Sequence, residues 1–115
     1  GNKKAADQYE SIIGQVKQFD LVLLGFGEDG HIASLFPGHL WGDDRLVIPV
    51  FNAPKAPSER VSLTIKSLSN SIDVIFLVAG KNKAKAFSSW EDPMVTPASL
   101  ISATNDVRIL TFDIN

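Results

Sequence analysis

A glycine-rich loop with an acid and a histidine follows an apolar segment of this 115-residue sequence. Leu21–Leu24 runs into Gly-Phe-Gly-Glu-Asp-Gly-His at positions 25–31. Asp29, Gly30 and His31 thus supply a carboxylate, a residue free to adopt positive φ, and an imidazole. An imidazole accepts a proton near neutral pH, and a neighbouring carboxylate fixes its tautomer. From these residues alone two interpretations stay open: a general base supported by an acid, and a histidine that only caps a short helix beside solvated acids.

The same loop has the G-x-G-x-x-G spacing of a dinucleotide-binding turn. That motif needs a long helix behind the glycines, no negative charge at the pyrophosphate, and an acid about 20 positions later, after the next strand. Here the loop contains two acids, Pro37 stops the following helix, and Asp43 and Asp44 precede the next strand. The Gly-Lys-Ser/Thr of a Walker loop is missing too. Both nucleotide interpretations are therefore rejected.

Two basic residues are candidates for binding an anion. In Gly-Lys-Asn-Lys-Ala-Lys at positions 80–85, helical geometry turns Lys83 away from the other two lysines. At a helix N-terminus after a strand, its ammonium and free backbone N–H groups would suit a phosphate. Arg60 ends a proline-bearing loop, where a guanidinium can fork onto phosphate or carboxylate oxygens. For these residues, and for Lys55, an ordinary solvated side chain is the alternative.

Composition indicates one globular domain over residues 1–115. The sequence is 44% hydrophobic and 21% charged with a net charge of −2, which gives no electrostatic basis for binding nucleic acid or an anionic membrane. It has no cysteine and only two histidines, so no disulfide, thiolate site or metal site is expected. No window approaches the roughly 20 apolar residues of a membrane span. We expect a cytoplasmic protein.

Apolar periodicity predicts alternating helices and strands. The predicted elements are a helix at 4–17, a strand at 19–24, a turn or two of helix at 31–36, strands at 46–51 and 61–64, a helix at 65–71, a strand at 72–78, a helix at 83–90, a helix start at Thr96-Pro97 and a strand at 107–112. Pro49 indicates an edge strand.

This order predicts an α/β fold with a mainly parallel sheet and helices on both faces. The almost uniformly apolar strands at 19–24 and 72–78 are typical of burial on both faces. Ligands of such sheets bind beyond the carboxyl ends of strands. The loops at Gly25–His31 and Gly80–Lys83 are therefore the two candidate positions for a site.

Longer segments carry a family resemblance. DLVLLGFGEDGHIASLFPGH at 20–39 resembles the signature of the 6-phosphogluconolactonase family. APKAPSERVSLT at 53–64, IFLVAGKNKA at 75–84 and PASL at 97–100 resemble its later blocks in the same order. The resemblance implies a Rossmann-like fold of the sugar-phosphate isomerase type, without metal or organic cofactor. Members are longer, so it also implies a chain incomplete at its N-terminus, the C-terminal portion of a lactonase domain.

The implied activity is hydrolysis of 6-phosphoglucono-δ-lactone in the oxidative pentose phosphate pathway, with that phosphosugar lactone as partner. His31 would be the general base, and Asp29 would orient it. The other candidate residues would bind substrate: the N–H groups around Gly27 and Gly30, near the oxyanion, and the side chains of Arg60 and Lys83.

Three alternatives stay open. Glucosamine-6-phosphate deaminases share the Gly-x-Asp-Gly-His core but continue toward Asn-Glu-Pro; Ser-Leu-Phe-Pro at 34–37 disfavours that activity here. A sugar-phosphate-binding sensor module would bind its ligand without turning it over. A truncated remnant would fold only with a partner half or as an oligomer. The oligomeric state does not follow from the sequence.

Overall fold

The computed structural model describes residues 1–39, 41 and 44–115. Asp43, considered above, lies outside them. The helices are α1 (Asn2–Ile13), α2 (Ile65–Ser69) and α3 (Ala84–Phe87), with 3₁₀ helices at Lys81–Lys83 and Ala98–Leu100. The strands are β1 (Phe19–Gly25), β2 (Val47–Val50), β3 (Arg60–Leu63), β4 (Ser71–Ala79) and β5 (Asp106–Phe112). No helix in this part of the chain has the length and apolarity to cross a membrane.

A parallel sheet with strand order β1-β4-β5 is the centre of the structure. Leu23 lies opposite Ile75 and Gly25 opposite Leu77, so β1 and β4 end at the same edge. The predicted α/β fold with a parallel sheet is confirmed. The neighbouring carboxyl ends bring the two candidate loops together, as expected for parallel strands.

The two faces of this sheet are covered unequally. Val74, Phe76 and Val78 alternate along β4 onto one face and are fully buried against residues of α2, α3 and the connecting loops. On the opposite face Leu21 and Leu23 are 49% and 59% exposed. The apolar strands predicted burial on both faces of the sheet. In the described part of the chain, one face is buried and the other is substantially exposed.

A separate antiparallel pair, β2 with β3, packs against α1. Pro49 lies opposite Val61 in this two-stranded sheet, where both strands are edges, as predicted. Ala6 and Ile13 of α1 bury against Val47 of β2. The helix therefore covers the antiparallel pair.

Two predicted helical segments differ from the structure. α1 ends at Ile13, short of residue 17, because the backbone N–H groups of residues 15 and 16 bond three residues back in a tight turn after Gly14. Residues 31–36 form a turn, closed by the Leu35 N–H donating to the Ile32 carbonyl at 2.8 Å. Ile32 and Leu35 are both buried, and their three-residue spacing fits a turn as well as a helix.

Helix starts were predicted more closely. Thr64 caps α2, accepting from the backbone of Ser67, whose hydroxyl accepts from the Thr64 N–H in return. Thr96 accepts from the N–H of Ala98 at 3.1 Å, ahead of the second 3₁₀ helix. The helix predicted at 83–90 begins two residues earlier, with the 3₁₀ helix at Lys81–Lys83. It also ends earlier than predicted, because α3 stops at Phe87.

Candidate active site

An open cavity of about 560 Å³ lies where β1 and β4 end. Its lining comes from the loop after β1, the 3₁₀ turn after β4, and the loop between β2 and β3: Gly25, Phe26, Gly27, Glu28, His31, Ala33, Lys55, Asn82 and Lys83. The structure thus brings together three predicted site residues, Gly27, His31 and Lys83. Asp29 adjoins the cavity through its contact with His31.

The side chain of Asp29 holds His31 at two points. Oδ1 of Asp29 accepts from the His31 backbone N–H at 3.0 Å and lies 2.5 Å from ring atom Nδ1. Partial burial acts to raise the pKa of Asp29, but the hydrogen bonds and charge of His31 outweigh it and lower that pKa. An ionised carboxylate only accepts hydrogen bonds, so Nδ1 carries a proton. Ring atom Nε2 of a neutral His31 is then free to accept one.

The ring of His31 is half-buried, and it packs against an aromatic side chain. Its centroid lies 4.8 Å from that of Phe36, and its side chain is 26% exposed. The ring therefore has a fixed wall on one side and solvent access on the other. Water can reach the imidazole without the ring leaving its hydrogen bond to Asp29.

Two glycines shape the loop that carries these residues. A Cβ on Gly27 would lie 2.2 Å from the His31 ring, so only glycine leaves the ring its place. Gly30 has φ of +92°, and a Cβ there would lie 2.7 Å from the Val95 carbonyl oxygen. Gly27 makes room for His31, whereas Gly30 allows the turn itself.

The predicted oxyanion role of these glycines does not fit the hydrogen bonds. The Gly27 N–H donates to the His31 carbonyl at 2.9 Å, and the Gly30 N–H donates to the Gly27 carbonyl at 3.0 Å. Both N–H groups are used in closing the tight loop. They are not available to a substrate oxygen in this conformation.

Lys83 lies in the cavity, but its backbone N–H is also engaged. That N–H donates to the Gly80 carbonyl at 3.1 Å, and Nζ donates to the Ala79 carbonyl at 3.1 Å. The N–H of Lys83 itself is therefore not one of the free N–H groups expected at this helix start, and the contribution of the others stays a prediction. Its ammonium has three hydrogens, so the bond to Ala79 leaves two for an anion.

Arg60 is placed outside the cavity lining. Its guanidinium donates to the carbonyls of residues 55–57 at 3.0 to 3.3 Å and stacks over the ring of Phe36 at 5.3 Å. Phe36 also packs on the His31 ring, so Arg60 and His31 contact the same aromatic side chain. The hydrogen bonds of Arg60 tie down the loop from which Lys55 reaches the cavity. The direct phosphate contact expected for Arg60 stays a prediction.

The sequence alone missed two cavity residues, Glu28 and Asn82. Nδ2 of Asn82 donates to Oε1 of Glu28 across 54 positions of sequence. Both belong to loops that were singled out, but their contact depends on β1 and β4 being adjacent. A prediction that β1 and β4 are neighbours would have placed the two loops side by side and indicated this contact.

Within the described ranges, no three histidine, aspartate or glutamate side chains come together in a group able to hold a metal ion.

Comparison with known proteins gives consistent relatives. Residues 1–110 match the family described as glucosamine-6-phosphate isomerases/6-phosphogluconolactonase. A probable 6-phosphogluconolactonase of Drosophila melanogaster is 44% identical over 88 residues, covering 74% of this chain and 36% of that protein. Human 6-phosphogluconolactonase is 37% identical over 112 residues, covering 86% and 43%. The crystal structure of 6-phosphogluconolactonase from Thermotoga maritima matches with a TM-score of 0.82 and 32% identity, covering 95% of this chain and 50% of that one.

The parallel sheet, with a cavity beyond its carboxyl edge, defines the chain as an α/β protein. The chain belongs to the glucosamine-6-phosphate isomerase/6-phosphogluconolactonase family. The resemblance noted in the sequence is thus confirmed. The chain spans about half the length of the Thermotoga maritima structure and less than half of these curated relatives. A monomeric glucosamine-6-phosphate deaminase, at 22% identity and a TM-score of 0.76, shares the fold.

Proposed function

We propose that the protein containing this chain hydrolyses 6-phosphoglucono-δ-lactone to 6-phosphogluconate, with His31 as general base. One observation carries the proposal: the Asp29–His31 pair opens into a cavity that also contains Lys83. The names of the relatives supply the substrate. The proposed setting is the oxidative pentose phosphate pathway in the cytoplasm.

The proposed reaction is a single ester hydrolysis. Nε2 of His31 takes a proton from water as the water oxygen bonds to the lactone carbonyl carbon. The tetrahedral intermediate then breaks its bond to the ring oxygen, and His31 returns the proton to that oxygen. A positioned base of this kind contributes about 10²- to 10⁴-fold to the rate. Asp29 stabilises the imidazolium that exists between the two steps.

The substrate's phosphate is the anchor that aligns the lactone. Lys83 supplies an ammonium group in the cavity, and Lys55 reaches it from the loop that Arg60 ties down. Binding energy from this remote group orients the carbonyl toward the water near His31. Arg60 enters the proposal as a support for Lys55 and Phe36.

The test compares two variants of the complete natural protein. His31→Ala is expected to lower kcat about 10²- to 10⁴-fold with little change in KM. Lys83→Ala is expected to raise KM about tenfold or more with a smaller change in kcat. Lys85→Ala, an exposed lysine on α3 outside the cavity, is the matched control and should behave as wild type. Proton release is measured against spontaneous lactone hydrolysis.

Equal kcat for wild type and His31→Ala would refute the role of the histidine. Tight binding of 6-phosphogluconate without any turnover by wild type would instead favour a sugar-phosphate-binding module. The same assay therefore separates the enzyme from the sensor.

A further inference from the structure

The cavity contains a charge that works against its proposed ligand. Glu28 lines the same space as Lys55 and Lys83. A carboxylate that shares a cavity with two lysines competes with a phosphate for their ammonium groups wherever its side chain can swing to meet one of them. It also repels the phosphate directly. For phosphate binding, the position of the Glu28 side chain therefore matters.

One side chain holds this carboxylate. Nδ2 of Asn82 donates to Oε1 of Glu28, and this contact joins the loop after β1 to the 3₁₀ turn after β4. The amide of Asn82 lies close over Gly80, since its Oδ1 is 2.6 Å from where a Cβ on Gly80 would be. Gly80 has φ of +104° and no side chain, which lets the amide lie over it.

We propose that Asn82 is a positioning residue that keeps the Glu28 carboxylate bonded at the edge of the cavity, so that Lys83 and Lys55 stay available to the substrate's phosphate. The inference rests on the proposed function for the identity of the phosphate ester. Asn82 touches no reacting atom in this account. It acts through Glu28 on the affinity of the site for a phosphate group.

Removal of the amide should release the competitor. In Asn82→Ala, Glu28 pairs with a cavity lysine, and the phosphate must displace it. We expect KM for the lactone, and the Kd for 6-phosphogluconate, to rise about two- to fivefold, the scale of one exposed ion pair. The value of kcat should stay within about twofold, because the Asp29–His31 pair is untouched.

A double-variant cycle in the complete natural protein tests this directly. Wild type, Asn82→Ala, Glu28→Gln and the double variant are compared for KM and kcat on the lactone and for binding of 6-phosphogluconate by calorimetry. Glu28→Gln removes the charge at constant shape, so in the Asn82→Ala background it should restore the wild-type KM and Kd. Thermal unfolding checks that all four proteins are folded; both side chains are exposed, so little change is expected.

A simple clamp between the two loops gives a different pattern. The double variant would then bind as weakly as Asn82→Ala, and that result would overturn the proposal. An unchanged KM and Kd in Asn82→Ala would overturn it as well. If wild type hydrolyses no lactone, the proposed function fails, but binding of inorganic phosphate to the same four proteins still decides the role of Asn82.

Discussion

One oxygen of Asp29, Oδ1, accepts hydrogen bonds from both the backbone N–H and the ring nitrogen Nδ1 of His31. The two bonds fix the start and the end of the same side chain, so the ring has little freedom to rotate. They also lower the pKa of Asp29 against the effect of its burial, which keeps the carboxylate ionised. Asp29 thus both places a negative charge beside His31 and orients its ring.

The two loop glycines should fail in different ways. Gly27→Ala puts a methyl group into the His31 ring without straining the backbone, so kcat/KM should fall about 10²-fold with little loss of stability. Gly30→Ala strains a left-handed residue against the Val95 carbonyl and should lower the free energy of unfolding by about 1–3 kcal/mol. Steady-state kinetics and urea unfolding of both variants check this. If Gly27→Ala keeps full activity, catalysis does not depend on the position of the His31 ring in this structure.

Sequence reasoning reached His31 and Asp29 because their contact is local, two residues apart. It did not foresee the carbonyl partners of Arg60 or of the Gly27 and Gly30 N–H groups, because these depend on which carbonyls the folded loops present. Lys83 stands between these cases. Its place at the end of β4 follows from the strand order, but the bond of its backbone N–H to Gly80 does not.

Besides its apolar contacts with the antiparallel pair, α1 bonds the start of β2 through one carboxylate. Oε1 of Glu10 accepts from the backbone N–H groups of Leu46 and Val47 at 2.7 and 3.2 Å, and Arg45 donates to it at 3.3 Å. Burial acts to raise the pKa of Glu10, but these bonds and the charge of Arg45 lower it overall. The charged form therefore stabilises the folded state.

Glu10→Gln should lower the free energy of unfolding of the complete protein by about 1 kcal/mol near neutral pH. The lowered pKa gives stability that is present above the ordinary value of 4.5 and is lost as pH falls through the folded value. The difference between wild type and variant should therefore shrink toward pH 3 in urea unfolding. Asp7→Asn, at an exposed partner of Arg45, is the matched control and should change little. A difference that persists at low pH contradicts the account.

A parallel sheet was predictable because apolar strands alternate with helices along the chain, but the order of its strands and the separate antiparallel pair were not predicted. The turn at 31–36 was not predicted either. Buried Ile32 and Leu35 have the spacing of a helix, and only the i to i+3 bond between their backbones distinguishes the two. A positive φ at Ala33 also gives no warning in the sequence, because alanine rarely adopts it.

The exposed face of the parallel sheet bears on the association of the whole chain. Leu21, Leu23, Ile75, Leu77 and Leu110 lie on that face by the strand register, and four of them are substantially exposed. Contiguous apolar surface of this kind marks an interaction site. That residues 1–115 form one domain, as the C-terminal portion of a longer one, stays a prediction.

We expect the 115-residue chain on its own to self-associate at micromolar concentration through this face. Replacing Leu23 and Leu77 together by lysine should shift it toward monomer in sedimentation velocity. Met94→Lys removes an equally apolar side chain that is 82% exposed elsewhere, and should not. A wild-type chain that stays monomeric at these concentrations would contradict the prediction that this apolar face drives self-association.

The most direct measurement is the protonation of the two ring nitrogens of His31 in the complete natural protein. Long-range ¹H–¹⁵N correlation near pH 8, with the signals assigned by their loss in His31→Ala, reports which nitrogen of the neutral ring carries hydrogen. We expect hydrogen on Nδ1 and a bare Nε2 in wild type, with a shift toward the other tautomer in Asp29→Asn. Hydrogen on Nε2 in the wild-type protein would contradict the account, because that nitrogen could not then take a proton from water.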